Sequence, residues 1–264
     1  MNLTEYFQQP HTPAFIPFIM AGHPNLRTTF NLILELEKIG VDAIEIGIPF
    51  SDPIADGPVN QRAAETALKQ GTTLSQCLEL ITELRAEGCT IPLIIFSYLN
   101  PILHLGFELF AEQAKAAQID SVLVVDLPPE EASELYNLLK KHGIGMIFLA
   151  SPTTKPERYS YYQALPPTFL YYVSRLGVTG IQKDLPQHLQ EELVAVKKNL
   201  KLPVCAGFGI STPEQAHTVA QFCDGVIVGS ALVNTLENTY QQEKITPFMR
   251  LAQTLCQSVK AIAR

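Results

Sequence analysis

Eight short runs of β-branched, aliphatic and aromatic residues recur along the chain, separated by segments whose apolar residues return every three or four positions. The runs are AFIPFIMAG from Ala14, AIEIGIPF from Ala43, PLIIFSY from Pro92, SVLVVDL from Ser121, GMIFLAS from Gly145, FLYYVSR from Phe169, PVCAGFGI from Pro203 and GVIVGS from Gly225. Most are nearly continuous apolar stretches, the pattern of strands buried on both faces of a parallel sheet. Between them, NLILELEKIG sets Leu32, Leu36 and Ile39 on one side of a helix that stops at Gly40. SQCLELITELRAEG does the same with Leu78, Ile81 and Leu84 and ends at Gly88. FELFAEQAKAAQ, SELYNLLKKHG and PEQAHTVAQF repeat the period. Eight β-then-α units predict an α/β chain folded as a (β/α)8 TIM barrel. The competing fold is an open, doubly wound sheet. The count of eight and the lack of a G-x-G-x-x-G after the first run weigh against it.

The distance from Ala43 to Pro92 is longer than one βα unit needs. It holds two helical segments, GPVNQRAAETALKQG and SQCLELITELRAEG, so an extra loop helix is expected there. NLTEYFQQ is expected to close the bottom of the barrel, and ITPFMRLAQTLCQSVKAIAR to form a final amphipathic helix. No linker, low-complexity tract or repeat interrupts the pattern, and residues 1–264 are taken as one barrel domain.

Composition narrows the function. The formal net charge is −7, whereas a nucleic-acid binder of this size is normally basic. The longest apolar run, IPLIIFSYLNPIL, is broken by Ser97, Asn100 and Pro101, so no membrane span is expected. The five cysteines include no C-x-x-C pair, which suggests free thiols in a reducing cytoplasm rather than disulfides or a zinc knuckle. The first residues lack the basic start and apolar run of a signal peptide.

The chemistry concentrates in IEIGIPFSDPIADGP, residues 44–58. Glu45 sits between Ile44 and Ile46, so strand alternation turns it to the face opposite both isoleucines, toward the barrel interior. A carboxyl buried there has its pKa raised and suits proton transfer near neutral pH. The alternative is a structural Glu paired with an Arg or a tyrosine hydroxyl. Asp56, in Ala-Asp-Gly-Pro, read alone is a turn residue. Beside Glu45 at one barrel mouth, it becomes a second acid able to divide acid and base roles. Asp52 reads as a loop brace. At the last two strand ends, GFGIS and VGSA put small residues before helices, where barrels bind phosphate through backbone N–H groups. RLGVTGIQKDLP has the composition of a closing lid, or of an ordinary solvated loop. Tyr171 could reach the interior with its hydroxyl, although a packed core aromatic is the slightly favoured reading. No predicted strand contains Lys, and the six histidines form no metal-ligand spacing, so no metal site is expected. A phosphate anchor, an aromatic mouth (Phe18, Phe96, Tyr98, Phe208) and two acids suit proton transfer on a phosphorylated, partly apolar small molecule. Another phosphate-binding barrel, such as a sugar-phosphate isomerase, remains open on these residues.

IEIGIPFSDPIADG, SVLVVDLPPEE, YYVSRLGVTG, GFGISTPEQ and GSA, in that order, resemble the tryptophan synthase alpha subunit family from about Phe15 to Leu232. The resemblance implies a (β/α)8 barrel that cleaves indole-3-glycerol phosphate into indole and glyceraldehyde 3-phosphate. It implies Glu45 as the principal acid/base, Asp56 as the group on the indole N–H, and Tyr171 near Glu45. It implies Thr179 and Gly180 in the lid, with Gly180, Gly209, Gly229 and Ser230 around the phosphate. Phe18, Tyr98, Leu123 and Phe208 would form the indole wall. It further implies an α2β2 heterotetramer with a beta subunit that carries pyridoxal phosphate, none being held by this chain. Asp52 and Pro53 would lie toward that partner. A degenerate regulatory chain and a free-standing lyase are the competing readings. Met20, His23 and Asn60 depart from the family pattern, and none of them is expected to touch the two acids.

Overall fold

The computed structural model describes residues 3–9, 12–173, 188–207, 209–240 and 245–262. Eight parallel strands close into a barrel in sequence order, β1-β2-β3-β4-β5-β6-β7-β8 and back to β1. They are β1 (Ala14–Met20), β2 (Ile44–Gly47), β3 (Leu93–Ser97), β4 (Ser121–Val124), β5 (Gly145–Ala150), β6 (Leu170–Val173), β7 (Val204–Gly207) and β8 (Gly225–Val228). Each lies inside a run expected to be a strand, trimmed at the ends where the chain turns into a loop.

The helices are α1 (Leu3–Gln8), α2 (Leu26–Lys38), α3 (Pro58–Lys69), α4 (Leu74–Ala86), α5 (Leu99–Leu105), α6 (Phe107–Ala116), α7 (Ser133–Lys141), α8 (Tyr159–Ala164), α9 (Leu189–Leu200), α10 (Pro213–Ala220), α11 (Ser230–Tyr240) and α12 (Thr246–Lys260). The β2–β3 connection holds two of them, α3 and α4, as its length predicts. Helix α5 is not among the helical segments read from the sequence, where Pro101 served only to interrupt an apolar run. Pro101 is the third residue of α5, within the first turn, where a backbone N–H has no helical partner to lose. The Asp126 carboxylate accepts the Leu99 N–H at 2.7 Å and holds that helix end.

Strand alternation divides the core into two shells. Phe15, Ile19, Ile44, Ile46, Leu170 and Tyr172 pack outward beneath the helices. Phe18, Ile94, Phe96, Leu123, Ile147, Tyr171, Cys205 and Ile227 fill the barrel. Helix α1 closes the bottom: Leu3 and Phe7 join the inner shell, with the Phe7 ring 5.0 Å from that of Phe169. The bottom filling thus leaves the opposite mouth, at the strand C-terminal ends, for a site. Among the described residues, no helix is long and apolar enough to cross a membrane, and the five cysteines are buried and in no disulfide.

Candidate active site

Glu45 pairs in register with Phe18 on β1 and Ile94 on β3, both inner-shell residues. Its carboxyl is therefore inside the barrel, and the residue is 1% exposed. No Arg or hydroxyl satisfies it in full, since Oε1 has no hydrogen-bond partner among the described residues. Burial, followed by the charge of Asp56, pushes its pKa up to about 8. At neutral pH Glu45 is accordingly a neutral acid with a proton to give.

Asp56 reaches the same cavity from the loop above β2. The turn is tied by its own N–H to the Pro53 carbonyl at 3.0 Å. The Gln61 amide donates to the Asp56 backbone carbonyl at 2.8 Å. Tyr98 then holds the side chain. The Ala55 N–H donates to the Tyr98 hydroxyl oxygen at 3.0 Å, and that hydroxyl donates to Asp56 Oδ2 at 2.9 Å. Asn60 Nδ2 donates to Asp56 Oδ1 at 3.2 Å. Burial raises the Asp56 pKa, and the bonds from Tyr98 and Asn60 pull it back. Two buried acids thus differ in environment: Glu45 is left with an unpaired oxygen, whereas each Asp56 oxygen has a donor.

The cavity is lined by Phe18, Glu45, Asp56, Asn60, Phe96, Tyr171, Gly209, Ile210, Ile227, Gly229 and Ser230. Phe18 and Phe96 meet edge to face at 5.2 Å and supply an aromatic wall. Tyr171, for which core packing was slightly favoured, belongs to the inner shell and also lines the cavity. A Cβ on Gly207 would overlap its hydroxyl, so glycine there makes room for the ring. Gly209, with φ of +84°, bends the chain after β7, and Ser230 opens α11 directly after β8. Backbone amides and a helix N-terminus thereby converge beside the acids, an arrangement suited to an anion.

The remaining expectations sort clearly. Leu123 is buried in the inner shell without lining the cavity, and Tyr98 serves Asp56 rather than the cavity wall. Thr179, Gly180 and Phe208 lie outside the described residues. Asp52 is exposed and Pro53 half-buried, both on the outward side of the loop that carries Asp56. One expectation is corrected. Asn60 was expected to leave the acids untouched, yet it bonds Asp56 directly, because the first turn of α3 sets it four residues after that acid. His23 is buried away from the cavity, neither ring nitrogen has a partner among the described residues, and burial lowers its pKa. Among the described residues, no group of three or more His, Cys, Asp or Glu could hold a metal ion.

A family model described as "Tryptophan synthase alpha chain" matches residues 5–264. The tryptophan synthase alpha chain of Geobacillus sp. strain WCH70 is 43% identical over 251 residues, covering 92% of this chain and 95% of the relative. That of Geobacillus kaustophilus is 48% identical over 225 residues, covering 85% and 84%. The crystal structure of tryptophan synthase subunit alpha from Legionella pneumophila superposes with a TM-score of 0.90 at 38% identity, covering 99% of this chain and all of that one. A chain of Mycobacterium tuberculosis tryptophan synthase does so with a TM-score of 0.87 at 31% identity, covering 98% and 96%.

Proposed function

The chain belongs to the tryptophan synthase alpha chain family, and from that premise we propose how its two buried acids carry the family's lyase reaction. The substrate is indole-3-glycerol phosphate, cleaved to indole and glyceraldehyde 3-phosphate. Glu45, protonated at neutral pH, gives its proton to the ring carbon that bears the side chain. The ring becomes an indolenine, and Asp56 on the ring N–H stabilises the positive charge that develops there. Glu45, now a carboxylate, takes the proton of the hydroxyl next to the bond that will break. The C–C bond then cleaves, its electron pair restores the indole ring, and the hydroxyl carbon leaves as the aldehyde. The protonated ring is itself the electron sink, so this chain needs no cofactor for the step.

Tyr171 stands beside Glu45 and restricts its position. The amides around Gly209, Gly229 and Ser230, with Gly180 from the lid, hold the phosphate, while Phe18 and Phe96 face the indole ring. Thr179 and Phe208 take the lid and ring-wall roles, with Leu123 behind. A beta subunit receives the indole, carries the pyridoxal phosphate and docks over the Asp52–Pro53 side in an α2β2 assembly in the cytoplasm.

The observation that carries this reading is the pairing of an acid kept neutral with an acid held by two donors in one cavity. Glu45→Gln tests it. Indole release with the beta subunit present is expected to fall by about two to four orders of magnitude, and near-normal turnover would sink the mechanism. Wild-type kcat/KM is expected to decline on the alkaline side through about pH 8, where Glu45 loses its proton.

A further inference from the structure

Asn60 is 5% exposed and is the third residue of α3. One end of its amide donates to Asp56 Oδ1 at 3.2 Å. The other end, Oδ1, is buried with no hydrogen-bond partner among the described residues, although the residue lines the cavity. The amide orientation follows from chemistry, since an ionised carboxylate only accepts and must face the NH2. A residue serving only to fill the wall would not be built this way. Leucine has a similar volume and leaves no carbonyl stripped of water. The unsatisfied end is thus the cost of what the satisfied end does.

That end completes a clamp. Tyr98 holds Asp56 Oδ2, and its own oxygen is occupied by the Ala55 N–H, so its proton is committed to Asp56. Without Asn60, the carboxylate would be held on one oxygen only and free to turn about its Cβ–Cγ bond. The ionisable groups facing Asp56 are Glu45 from β2, Tyr98 after β3 and Tyr171 from β6. None is cationic, so among the described residues it is hydrogen bonds that offset burial there.

We infer that Asn60 is a positioning residue for the lyase reaction: it fixes Asp56 Oδ1 opposite the Tyr98 bond so that a charged carboxylate meets the substrate ring, at the expense of a buried unpaired carbonyl. The inference rests on Asp56 being the group that stabilises the ring N–H. The exchange of stability for activity separates it from a packing role.

The test compares wild type, Asn60→Leu, Asn60→Asp and Asp56→Asn in the presence of the beta subunit. It measures kcat/KM for indole release from indole-3-glycerol phosphate between about pH 5.5 and 9, and urea unfolding midpoints of the same chains. Asn60→Leu is expected to lose about tenfold in kcat/KM at the acid end. That loss should shrink as pH rises, while the urea midpoint stays level or increases. Asn60→Asp sets a second carboxyl beside Asp56, so the pair shares a proton and its loss should extend to higher pH than that of Asn60→Leu. A loss independent of pH, a lowered urea midpoint in Asn60→Leu, or a wild-type profile in either variant overturns the inference. If Asp56→Asn is inactive in that case, the role of Asp56 stands and only that of Asn60 falls. If Asp56→Asn turns over normally, the role of Asp56 falls first and takes this one with it.

Discussion

Glu45 shows how one residue's place in a strand becomes a chemical property. Alternation turns it inward, closure of the barrel removes water, and the nearby Asp56 charge adds to the burial, so the acid stays protonated to about pH 8. The same shift acts on stability. Its folded pKa lies above that of an unfolded carboxylate, so the folded chain binds more protons than the unfolded chain between the two values. The Glu45 contribution is therefore most favourable below the ordinary carboxylate range. It declines as pH rises and levels off above about pH 8. Glu45→Gln removes this term. Its urea midpoint is expected to exceed that of wild type by a margin that grows from pH 5 to pH 8, and a margin constant with pH would contradict the assignment.

At the scale of elements, a repeated clip holds the strand ends at the bottom of the barrel. Asp42, before β2, accepts the Phe15 N–H of β1 at 2.8 Å. Asp120, before β4, accepts the Leu93 N–H of β3 at 2.9 Å. Asp224, before β8, accepts the Val204 N–H of β7 at 2.9 Å. Each also meets a cation from a helix: Lys260 at 3.1 Å, Arg85 at 3.3 Å and Lys197 at 2.8 Å, respectively. Such a carboxylate links two strands and a helix, so its removal strands both a backbone donor and a cation. Asp224→Ala is expected to cost about 2 kcal/mol, read as a lower urea midpoint with an unchanged denaturant slope. A change below about 0.5 kcal/mol would mean that water replaces the clip. These acids face the bottom, which accounts for their structural role beside the catalytic one proposed for Asp56 at the top.

Across the whole molecule, one loop joins the interior to the outer surface. Asp56 points into the cavity, while four residues earlier Asp52 is exposed and Ile54 between them is 78% exposed. An apolar side chain so exposed, next to a groove lined by Phe50, Pro53 and Leu68, suits a partner surface. If the beta subunit docks there, as proposed, it presses on the turn that carries Asp56 and can order that acid for reaction. Ile54→Asp is expected to raise the beta-subunit concentration needed for half-maximal activation by about tenfold, measured by titrating the partner into the lyase assay. An unchanged titration would move the interface elsewhere.

The barrel was legible in the sequence because apolar period and length are local properties: eight runs of this kind, spaced by helical segments, leave few ways to bury both faces of the sheet. Glu45 could be aimed inward on the same ground, since Ile44 and Ile46 define the opposite face. What Asp56 touches could not be read that way. Its partners Tyr98 and Asn60 come from different elements, and Tyr98 is 42 residues away in the chain, so only closure of the barrel brings its hydroxyl to the carboxylate. The helix within LNPILHL was hidden because Pro101 breaks a helix interior but not a first turn. The role of Asn60 was hidden for a related reason. Its distance from Asp56 is one helical turn only if α3 starts at Pro58 and Asp56 turns back toward it, and whether its carbonyl is left unpaired depends on the whole wall around it. Chain periodicity thus determined the architecture and the inward acid, and tertiary packing decided which acid burial keeps neutral and which is held by two donors.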